Sequence, residues 1–448
     1  MASTRLERTN GTETTRTKCT FSAWFKYDQT SGTNTIVACS DDSGANTYFQ
    51  VELKPDIDVQ IRDGSSATYL ARRSNAKLRD ASGWYHLVIT FDSTDGTADD
   101  RLKIFLNGER ITSFSDNTGT VDSNYNCPLF KSSIPIKIGS GNNNNNYFSG
   151  AISHIHATDG YAYDASAFGE TDSNGVWKIK TSPSVTYGDN GFFILKNGNS
   201  VTDQSGEGNN FTVAAGTLTD LQDNPSDVFA TFNPLMALNS TISLANCNTK
   251  ATTPSSYETG RSNSIFSTLG MSKGKFYTEF KAVTTPAANA LIGVGFDLSS
   301  AQQGTGTNQY NFSFTNLGFS YNSVGSIGND GDGWTSTGYD TYTANDIIGV
   351  AIDCDNNKLY VSKNGTWQNS ANPSSGTGGF SITADKEYFF AVADNAAAEV
   401  YVYEANFGNG YFGTTQITSE GTNASNVGKF EYDVPTNYTS LSTKGLNI

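Results

Sequence analysis

This sequence of 448 residues has few charged side chains and no long apolar run. Charged residues make up only 16% of the chain, and acidic side chains outnumber basic ones, so that the formal net charge is −15. Proteins that bind nucleic acid concentrate lysine and arginine on one face, and this balance therefore argues against a nucleic-acid partner. Residues 1–20 carry basic side chains without the apolar centre of a signal peptide, and no stretch approaches membrane-spanning length. We expect a soluble chain that is made without export and does not insert into membranes.

Cysteine and histidine are also scarce. The five cysteines show neither a C-x-x-C pair nor a zinc-like spacing, which predicts reduced core thiols rather than disulfides. Only three histidines are present, which leaves few candidates for a histidine-dependent catalytic triad. His86 lies inside an apolar run and is interpreted as a structural histidine. His154 and His156 have the spacing of one strand face and could chelate a metal, but the sequence offers no third ligand.

The pattern that is present is that of short strands joined by many turns. Glycine is abundant and apolar residues alternate with polar ones, as in Phe21 to Tyr27 and Leu102 to Leu106. Asn107-Gly108 and Asn364-Gly365 each follow such a run and favour tight antiparallel hairpins. We therefore predict an all-β protein built from antiparallel β-sandwich modules.

Two modules are predicted from the length and from two separate apolar cores. Continuous apolar runs, one at residues 87–89 and one at residues 347–352, suit strands that are covered on both faces. A turn-rich stretch from about residue 217 to residue 253 separates them. The predicted modules are residues 1–226 and residues 227–448.

The first module resembles a laminin-G-like, concanavalin-A-type jelly roll. The resemblance covers residues 16–225 and rests on Thr20 to Lys26, Trp84 to Phe91, Arg101 to Phe114 and Phe148 to Tyr163. The segment Phe168 to Trp177 (FGETDSNGVW) is similar to one found in the bacteriophage branch of that family.

The second module resembles a SPRY domain. The segments that carry the resemblance, in order, are GKFYTEF from Gly274, IGVGF from Ile292, DIIGVAID from Asp346, NNKLYVSKNG from Asn356 and ANFG from Ala405. Phe276 stands where that family often has tryptophan, a change that a core absorbs by repacking. The phrase Phe229 to Leu235 (FATFNPL) looks like the connector between these modules in virion proteins of marine bacteriophages, and this implies a virion component.

Concanavalin-type sandwiches also include glucanases, so we searched for their Glu-x-Asp-x-x-Glu strand. Glu170-Thr171-Asp172 begins that pattern, but Gly175 stands where the second glutamate belongs. Glu431 also begins it, and the pattern fails at Thr436. We predict that the chain is not an enzyme.

Acidic loops are the sequence's candidates for calcium, because calcium prefers several oxygens from flexible loops. In the first module these are Asp92, Asp95 and Asp99, and the laminin-G resemblance favours them because such modules sometimes bind calcium at their rim. Solvated turn aspartates are the alternative. Asp41-Asp42 and the second module's Asn329 to Gly333 are further acidic loops, and none has the spacing of an EF-hand.

Loops at the ends of both sandwiches are predicted to hold ligands. The candidate ligand-binding residues are Trp334, Tyr339, Tyr342, Trp367 and Asn144, the last of them in the run Asn142 to Asn146. The alternatives are core or rim packing for the aromatic side chains and a solvated loop tip for the asparagines. SPRY domains typically hold a peptide or protein, and laminin-G-like modules often hold glycans.

Three functions remain open at this point. The favoured one is a tail-fibre-type or surface adhesin of a phage virion, which binds a host cell-surface glycan or protein. The alternative is a capsid-decorating or head-fibre structural protein, and the third is a carbohydrate-active enzyme. The resemblance implies a homo-oligomer that is assembled in the host cytoplasm and contacts other virion structural proteins.

Overall fold

The computed structural model describes residues 3–27, 32–40, 47–64, 69–196, 198, 200–237, 241–255, 263–285, 290–296, 318–329, 334–394 and 399–447. For residue 329 and residues 334–336 it describes the backbone. The chain divides into two compact units, Met1–Asp220 and Leu221–Ile448. The sequence had placed the boundary six residues later, within the turn-rich stretch. Each unit has a hydrophobic core of its own.

The described residues contain no α-helix, and the predicted all-β fold class is confirmed. Short 3-10 turns occur at Ala98–Asp100, Pro128–Phe130, Asn142–Asn144, Ala165–Ala167, Pro234–Met236, Gln368–Ser370 and Gly445–Asn447. No helix among these residues is long and apolar enough to span a membrane.

The first unit is a sandwich of two antiparallel sheets. Its strands are β1 (Arg5–Thr9), β2 (Lys18–Tyr27), β3 (Asn34–Ser40), β4 (Tyr48–Leu53), β5 (Ile57–Arg62), β6 (Tyr69–Ser74), β7 (Tyr85–Asp92), β8 (Leu102–Leu106), β9 (Glu109–Arg110), β10 (Phe114–Thr118), β11 (Pro135–Ile138), β12 (Gly150–Asp159), β13 (Gly169–Thr171), β14 (Trp177–Ile179), β15 (Phe192–Ile194) and β16 (Thr212–Ala215). Sheet A has the order β10-β6-β5-β4-β3-β11-β1-β16, and sheet B has the order β15-β12-β2-β7-β8-β9. Strands β13 and β14 form a separate hairpin.

Alternation along the strands builds the core between sheets A and B. In β2 the side chains of Phe21, Ala23, Phe25 and Tyr27 all enter this core, as their spacing predicts. Val51 and the neighbouring apolar residues of β4 enter it from sheet A. The alternate residues of both sheets consequently point away from the core, and these two outer faces carry most of the polar chemistry of the unit.

The second unit is also a two-sheet sandwich. Its strands are β17 (Ser243–Ala245), β18 (Lys250–Thr252), β19 (Asn263–Phe266), β20 (Lys275–Ala282), β21 (Ala290–Gly295), β22 (Gly318–Asn322), β23 (Ser326–Asn329), β24 (Trp334–Thr337), β25 (Ile347–Asp353), β26 (Lys358–Lys363), β27 (Thr366–Trp367), β28 (Phe380–Ser381), β29 (Phe389–Asp394), β30 (Val402–Asn406), β31 (Tyr411–Phe412), β32 (Thr415–Gln416) and β33 (Thr439–Ser440). Sheet C has the order β17-β18-β30-β20-β25-β26-β27, with β28 beside β26 and β33 beside β20. Sheet D has the order β19-β29-β21-β22-β23-β24, and β31 pairs with β32.

The two Asn-Gly hairpins form as predicted. Asn107 and Gly108 have φ angles of 49° and 84° between β8 and β9, and Asn364 and Gly365 have 46° and 79° between β26 and β27. Two successive positive φ angles define a type I′ turn, whose twist matches that of the flanking strands. Asparagine and glycine tolerate this left-handed backbone better than other residues do.

The connector predicted from FATFNPL is part of the second unit's core. Phe232 is fully buried and packs against Phe280 and Phe407, with ring centroids 6.2 Å and 5.7 Å away. Phe229 is also buried and forms a bridge with Ser442 near the C-terminal end. The stretch from residue 229 to residue 235 therefore stabilises the second unit instead of acting as a free linker.

Candidate functional site

The outer face of sheet A carries an ordered array of polar side chains across β4, β5 and β6. The array consists of three cross-strand rows, in which residues stand opposite one another in register: Tyr48, Arg62 and Tyr69; Gln50, Gln60 and Ala71; Glu52, Asp58 and Arg73. We call the eight side chains other than Ala71 the polar face. They point away from the core because Phe49, Val51 and Val59, the intervening residues, point into it.

Carboxylates and amides in the middle of the polar face bond one another. Gln60 donates from Nε2 to Asp58 Oδ2 at 2.9 Å and to Glu52 Oε2 at 3.4 Å. Gln50 donates to the other oxygen of Glu52. Lys54 forms ion pairs with both carboxylates, Glu52 and Asp58. Burial opposes the charge on Lys54, but these two carboxylates outweigh burial and raise its pKa. The result is a fixed array of donors and acceptors of known direction.

One end of the polar face is aromatic. Tyr48 and Tyr69 are half-buried and flank Arg62 on the neighbouring strand. Burial raises the pKa of Tyr48, although the nearby Arg62 guanidinium opposes this shift. Burial, together with neighbouring Tyr48, also raises the pKa of Tyr69. Both phenols therefore stay protonated at neutral pH and combine an apolar ring with a hydrogen-bonding hydroxyl.

The asparagine run lies at the other side of this face. The backbone N–H of Asn142 donates to Gln50 Oε1 at 3.4 Å, and the Asn146 amide donates to Glu52 Oε1 at 3.3 Å. Asn144, a predicted ligand residue, is exposed on this same loop. The sequence predicts a solvated loop tip for this run and contains no local signal for its contact with the sheet.

The conformation of the run explains why asparagine is used there. Asn143, Asn144 and Asn146 have φ angles of 59°, 58° and 48°, in the left-handed region that asparagine tolerates. Next to them, the buried oxygens Thr35 Oγ1, Ser140 Oγ and Asn142 Oδ1 have no hydrogen-bond partner among the described residues. Unpaired buried polar atoms are costly, and they gain most from a ligand or water that bonds to them.

Two of the three aspartates predicted to bind calcium, Asp92 and Asp95, already have partners within the chain. Asp92 forms an ion pair with Lys18 at 2.9 Å and accepts hydrogen bonds from Thr94. Burial would raise the pKa of Asp92, but these bonds and the Lys18 charge lower it overall. Asp95 accepts from the Thr97 N–H, and Asp99 is exposed. Within the described ranges no three His, Cys, Asp or Glu side chains are grouped as metal ligands. Calcium binding stays a prediction, which melting curves in excess calcium and in chelator test.

Two of the aromatic residues predicted as ligand contacts in the second unit, Tyr339 and Tyr342, both contact Tyr321 at the main core, whereas Trp367 belongs to a different cluster. Tyr342 is buried, donates its hydroxyl to the Ala290 carbonyl at 2.8 Å and belongs to the core. Tyr339 is half-buried between Tyr321 and Phe380. These positions fit the packing alternative. The side chain of Trp334 lies outside the described part of the chain.

Trp367, the remaining aromatic candidate, packs edge-on against Tyr277, with ring centroids 6.1 Å apart. It joins a satellite cluster on the outer face of sheet C. Glu279 lies on this face and is completely buried. Its carboxylate accepts hydrogen bonds from Tyr277, from Asn406 and from the N–H groups of residues 431 and 432. This carboxylate holds the C-terminal segment against the sheet.

The incomplete glucanase pattern lies in the β13–β14 hairpin. Glu170 is exposed on β13, and Asp172 opens the hairpin by accepting hydrogen bonds from the N–H groups of Asn174 and Val176. Asp172 also pairs with Lys178 at 2.7 Å. Asp172 is thus occupied by the hairpin itself.

Comparison with known families gives a match over the first unit. Residues 3–162 match the family model Laminin_G_3, described as the concanavalin A-like lectin/glucanases superfamily. The laminin-G-like resemblance is confirmed over that range. The phage and marine assignment stays a prediction.

Three solved structures are similar to parts of the chain. The SPRY domain of human HERC1 is 16% identical, covers 39% of this chain and 96% of its own, and has a TM-score of 0.28. The TRIM65 PSpry domain is 13% identical and covers 39% and 89%, with a TM-score of 0.30. A native heptameric SAP-like pentraxin from Limulus polyphemus is 15% identical and covers 36% and 71%, with a TM-score of 0.26. None of these similarities identifies a ligand.

Proposed function

We propose that this chain is a non-enzymatic recognition protein that binds a glycan through the polar face of sheet A. The observation that carries the proposal is the three-row array, in which the buried carboxylates of Glu52 and Asp58 hold the half-buried Gln60 amide in a fixed direction. A sugar chain offers a row of hydroxyls that both donate and accept, and rigid strands hold their partners at a regular spacing.

The aromatic end of the face favours a sugar over a more highly charged ligand. Tyr48 and Tyr69 provide half-buried rings against which the apolar face of a pyranose packs, and each ring also carries a hydrogen-bonding hydroxyl. The net charge of −15 disfavours phosphate-rich polymers. A protein ligand is the second candidate, because the same rows could accept the polar side chains of a partner.

The setting that we propose is the surface of a phage virion, where the chain acts as a tail-fibre-type or surface adhesin. This part of the proposal rests on the sequence resemblance of residues 168–177 and of the connector at residues 229–235. The partners would be other virion structural proteins and a host cell-surface glycan or protein. The chain would act as a homo-oligomer, assembled in the host cytoplasm.

Binding to a panel of cell-surface glycans tests the recognition proposal. We expect Gln60→Ala and Tyr69→Ala each to weaken the best glycan's affinity about tenfold or more, the effect of losing roughly 1.4 kcal/mol. Gln416→Ala and Tyr161→Ala change an exposed glutamine and an exposed tyrosine outside the polar face and should leave affinity unchanged. Equal affinities for all four variants, or no bound glycan at all, would exclude the polar face as the site.

The capsid-decorating or head-fibre alternative requires a separate experiment. Purified chain should compete with particles for adsorption to host cells if it is an adhesin. Antibodies that label intact particles without any effect on adsorption would favour decoration. Antibodies that label no particle would exclude both virion roles while leaving glycan binding open.

A further inference from the structure

The three histidines of the chain lie together on the outer face of sheet B. His86 and His156 occupy outward positions on β7 and β12, and both are buried, as is His154 beside the irregularity in β12. Ser22 on β2 joins the first two, because it stands opposite His156 in register and bonds His86 Nε2 at 2.9 Å. Buried imidazoles on an outer sheet face need something to cover them.

The chain itself provides that cover. We use the word cover for residues 163–187, which include the β13–β14 hairpin. Ala165 and Phe168 of the cover pack on Val88 and Phe105, outward residues of β7 and β8. The Trp177 ring lies beside the backbone of Gly108, where an added Cβ would come within 2.5 Å of the indole. The cover thus forms an apolar third layer on sheet B.

Trp177 fixes the hairpin to His86. The indole Nε1–H donates to His86 Nδ1 at 3.0 Å, and the imidazole lies between the indoles of Trp177 and Trp24, at 5.9 Å and 4.6 Å. Because Nδ1 accepts this bond, the ring proton is on Nε2 and donates to Ser22 Oγ. A second proton on Nδ1 would face the indole N–H and break the bond.

His156 makes the corresponding contact at the end of the cover. Its Nδ1 lies 2.9 Å from the hydroxyl of Tyr187, and its ring stacks on Phe193 at 3.8 Å. His154 differs, because its Nδ1 bonds neighbouring Ser153 and its ring leans on Phe193 of β15, outside the cover. Two of the three imidazoles therefore bond the cover directly.

We propose that residues 163–187 form an acid-released cover, which protonation of His86 and His156 detaches from sheet B while the sandwich remains folded. The inference is independent of glycan binding on sheet A. Opening would expose Trp24, Val88 and Phe105, an apolar surface that is hidden at neutral pH.

Burial and the charges around the imidazoles determine the direction in which their pKa values shift. Burial lowers the pKa of His86 to about 3. Burial also lowers the pKa of His156, as do His154, His86 and Lys196. Burial and Lys196 lower the pKa of His154 to about 4. The groups that face the imidazoles are thus cationic or neutral, including the protonated phenol of Tyr187, and the acidic group nearby is Asp203, which acts on Tyr187.

The direction of the pH dependence of opening follows from these lowered pKa values. A histidine released into water regains its ordinary pKa of about 6.5. Its contribution to the closed state is therefore complete above pH 6.5 and is lost as the pH falls toward the lowered value. Each imidazole released on opening increases the open population up to about tenfold per pH unit below 6.5.

Hydrogen exchange of the full chain between pH 7.5 and pH 4.5, corrected for intrinsic rates, measures this opening. We expect the open population reported by residues 168–180 to rise at least tenfold on acidification, while residues 48–62 of sheet A stay protected. Protection of 168–180 that is independent of pH, or loss of protection in both regions together, would overturn the proposal.

Single variants show which histidines cause the acid-dependent opening, because each histidine that does so contributes to the slope of the open population against pH. His86→Gln and His156→Gln cannot titrate and should each flatten the slope, whereas His154→Gln should leave it as in the unmodified chain. Equal slopes in all three variants would contradict the assignment. Imidazole NMR of the unmodified chain tests the same point without any variant: His86 should stay neutral until the cover opens. Protonation of His86 near pH 6.5 with the cover still closed would refute the proposal.

Discussion

Glu279 shows most clearly how a single residue controls structure in this protein. Burial raises its pKa to about 7, although four hydrogen bonds favour the ionised carboxylate. Two of these bonds come from backbone N–H groups of the C-terminal segment, which has no strand partner at that point. A side chain on β20 thus satisfies donors that a sheet would otherwise satisfy.

We predict that Glu279→Ala destabilises the second unit by about 3 kcal/mol or more, because it leaves several buried donors without an acceptor. Urea unfolding at pH 8, where the carboxylate is ionised, measures the change. The exposed Glu420→Ala is the matched control and should stay within about 0.5 kcal/mol of the unmodified chain. Equal stabilities of the two variants would show that the C-terminal segment is held by other contacts.

Among the elements, the loop Asn142–Asn146 depends on backbone conformation more than on side-chain contacts. Asn144 has a φ angle of 58°, whereas Asn145, the next residue, has an extended φ of −121°. Both side chains are exposed. The same substitution at the two positions therefore separates the free-energy cost of a left-handed backbone from the cost of changing an exposed side chain.

A valine at residue 144 should destabilise the first unit by about 1 to 2 kcal/mol, because a β-branched side chain is strained at positive φ. Asn145→Val places the same side chain on extended backbone and should be nearly neutral. Thermal unfolding of both variants checks this expectation, and equal melting temperatures would contradict the left-handed conformation of Asn144.

The sequence predicted elements well where the signal is local. The alternation from Phe21 to Tyr27 identified β2, and Asn107-Gly108 identified the turn after β8. The polar face was missed, although β4 itself alternates from Tyr48 to Leu53. The function proposed for it depends on Gln50 lying opposite Gln60, and this register is a long-range property that no local pattern contains.

At the scale of the whole molecule, the connector gives a sharp test of where the second unit begins. The predicted boundary at residue 226 and the division after Asp220 both leave Phe229 and Phe232 in the second unit. These two buried rings fill its core, and removing a buried phenylalanine costs roughly 3 to 5 kcal/mol.

We therefore expect residues 221–448 to fold alone with a cooperative β-type melting transition. A fragment that starts at residue 237 lacks both rings and should melt at a much lower temperature or fail to fold. Circular dichroism measures the melting transitions of the two fragments. Similar melting transitions would mean that the connector is dispensable.

The location of a bound ligand tests the central claim most directly. A crystal structure of the full chain with the best-binding glycan should show the sugar on sheet A, with a ring against Tyr48 or Tyr69 and hydroxyls bonded to Gln60. A glycan bound elsewhere, such as at Tyr339 in the second unit, with the polar face unchanged, would contradict the proposed site.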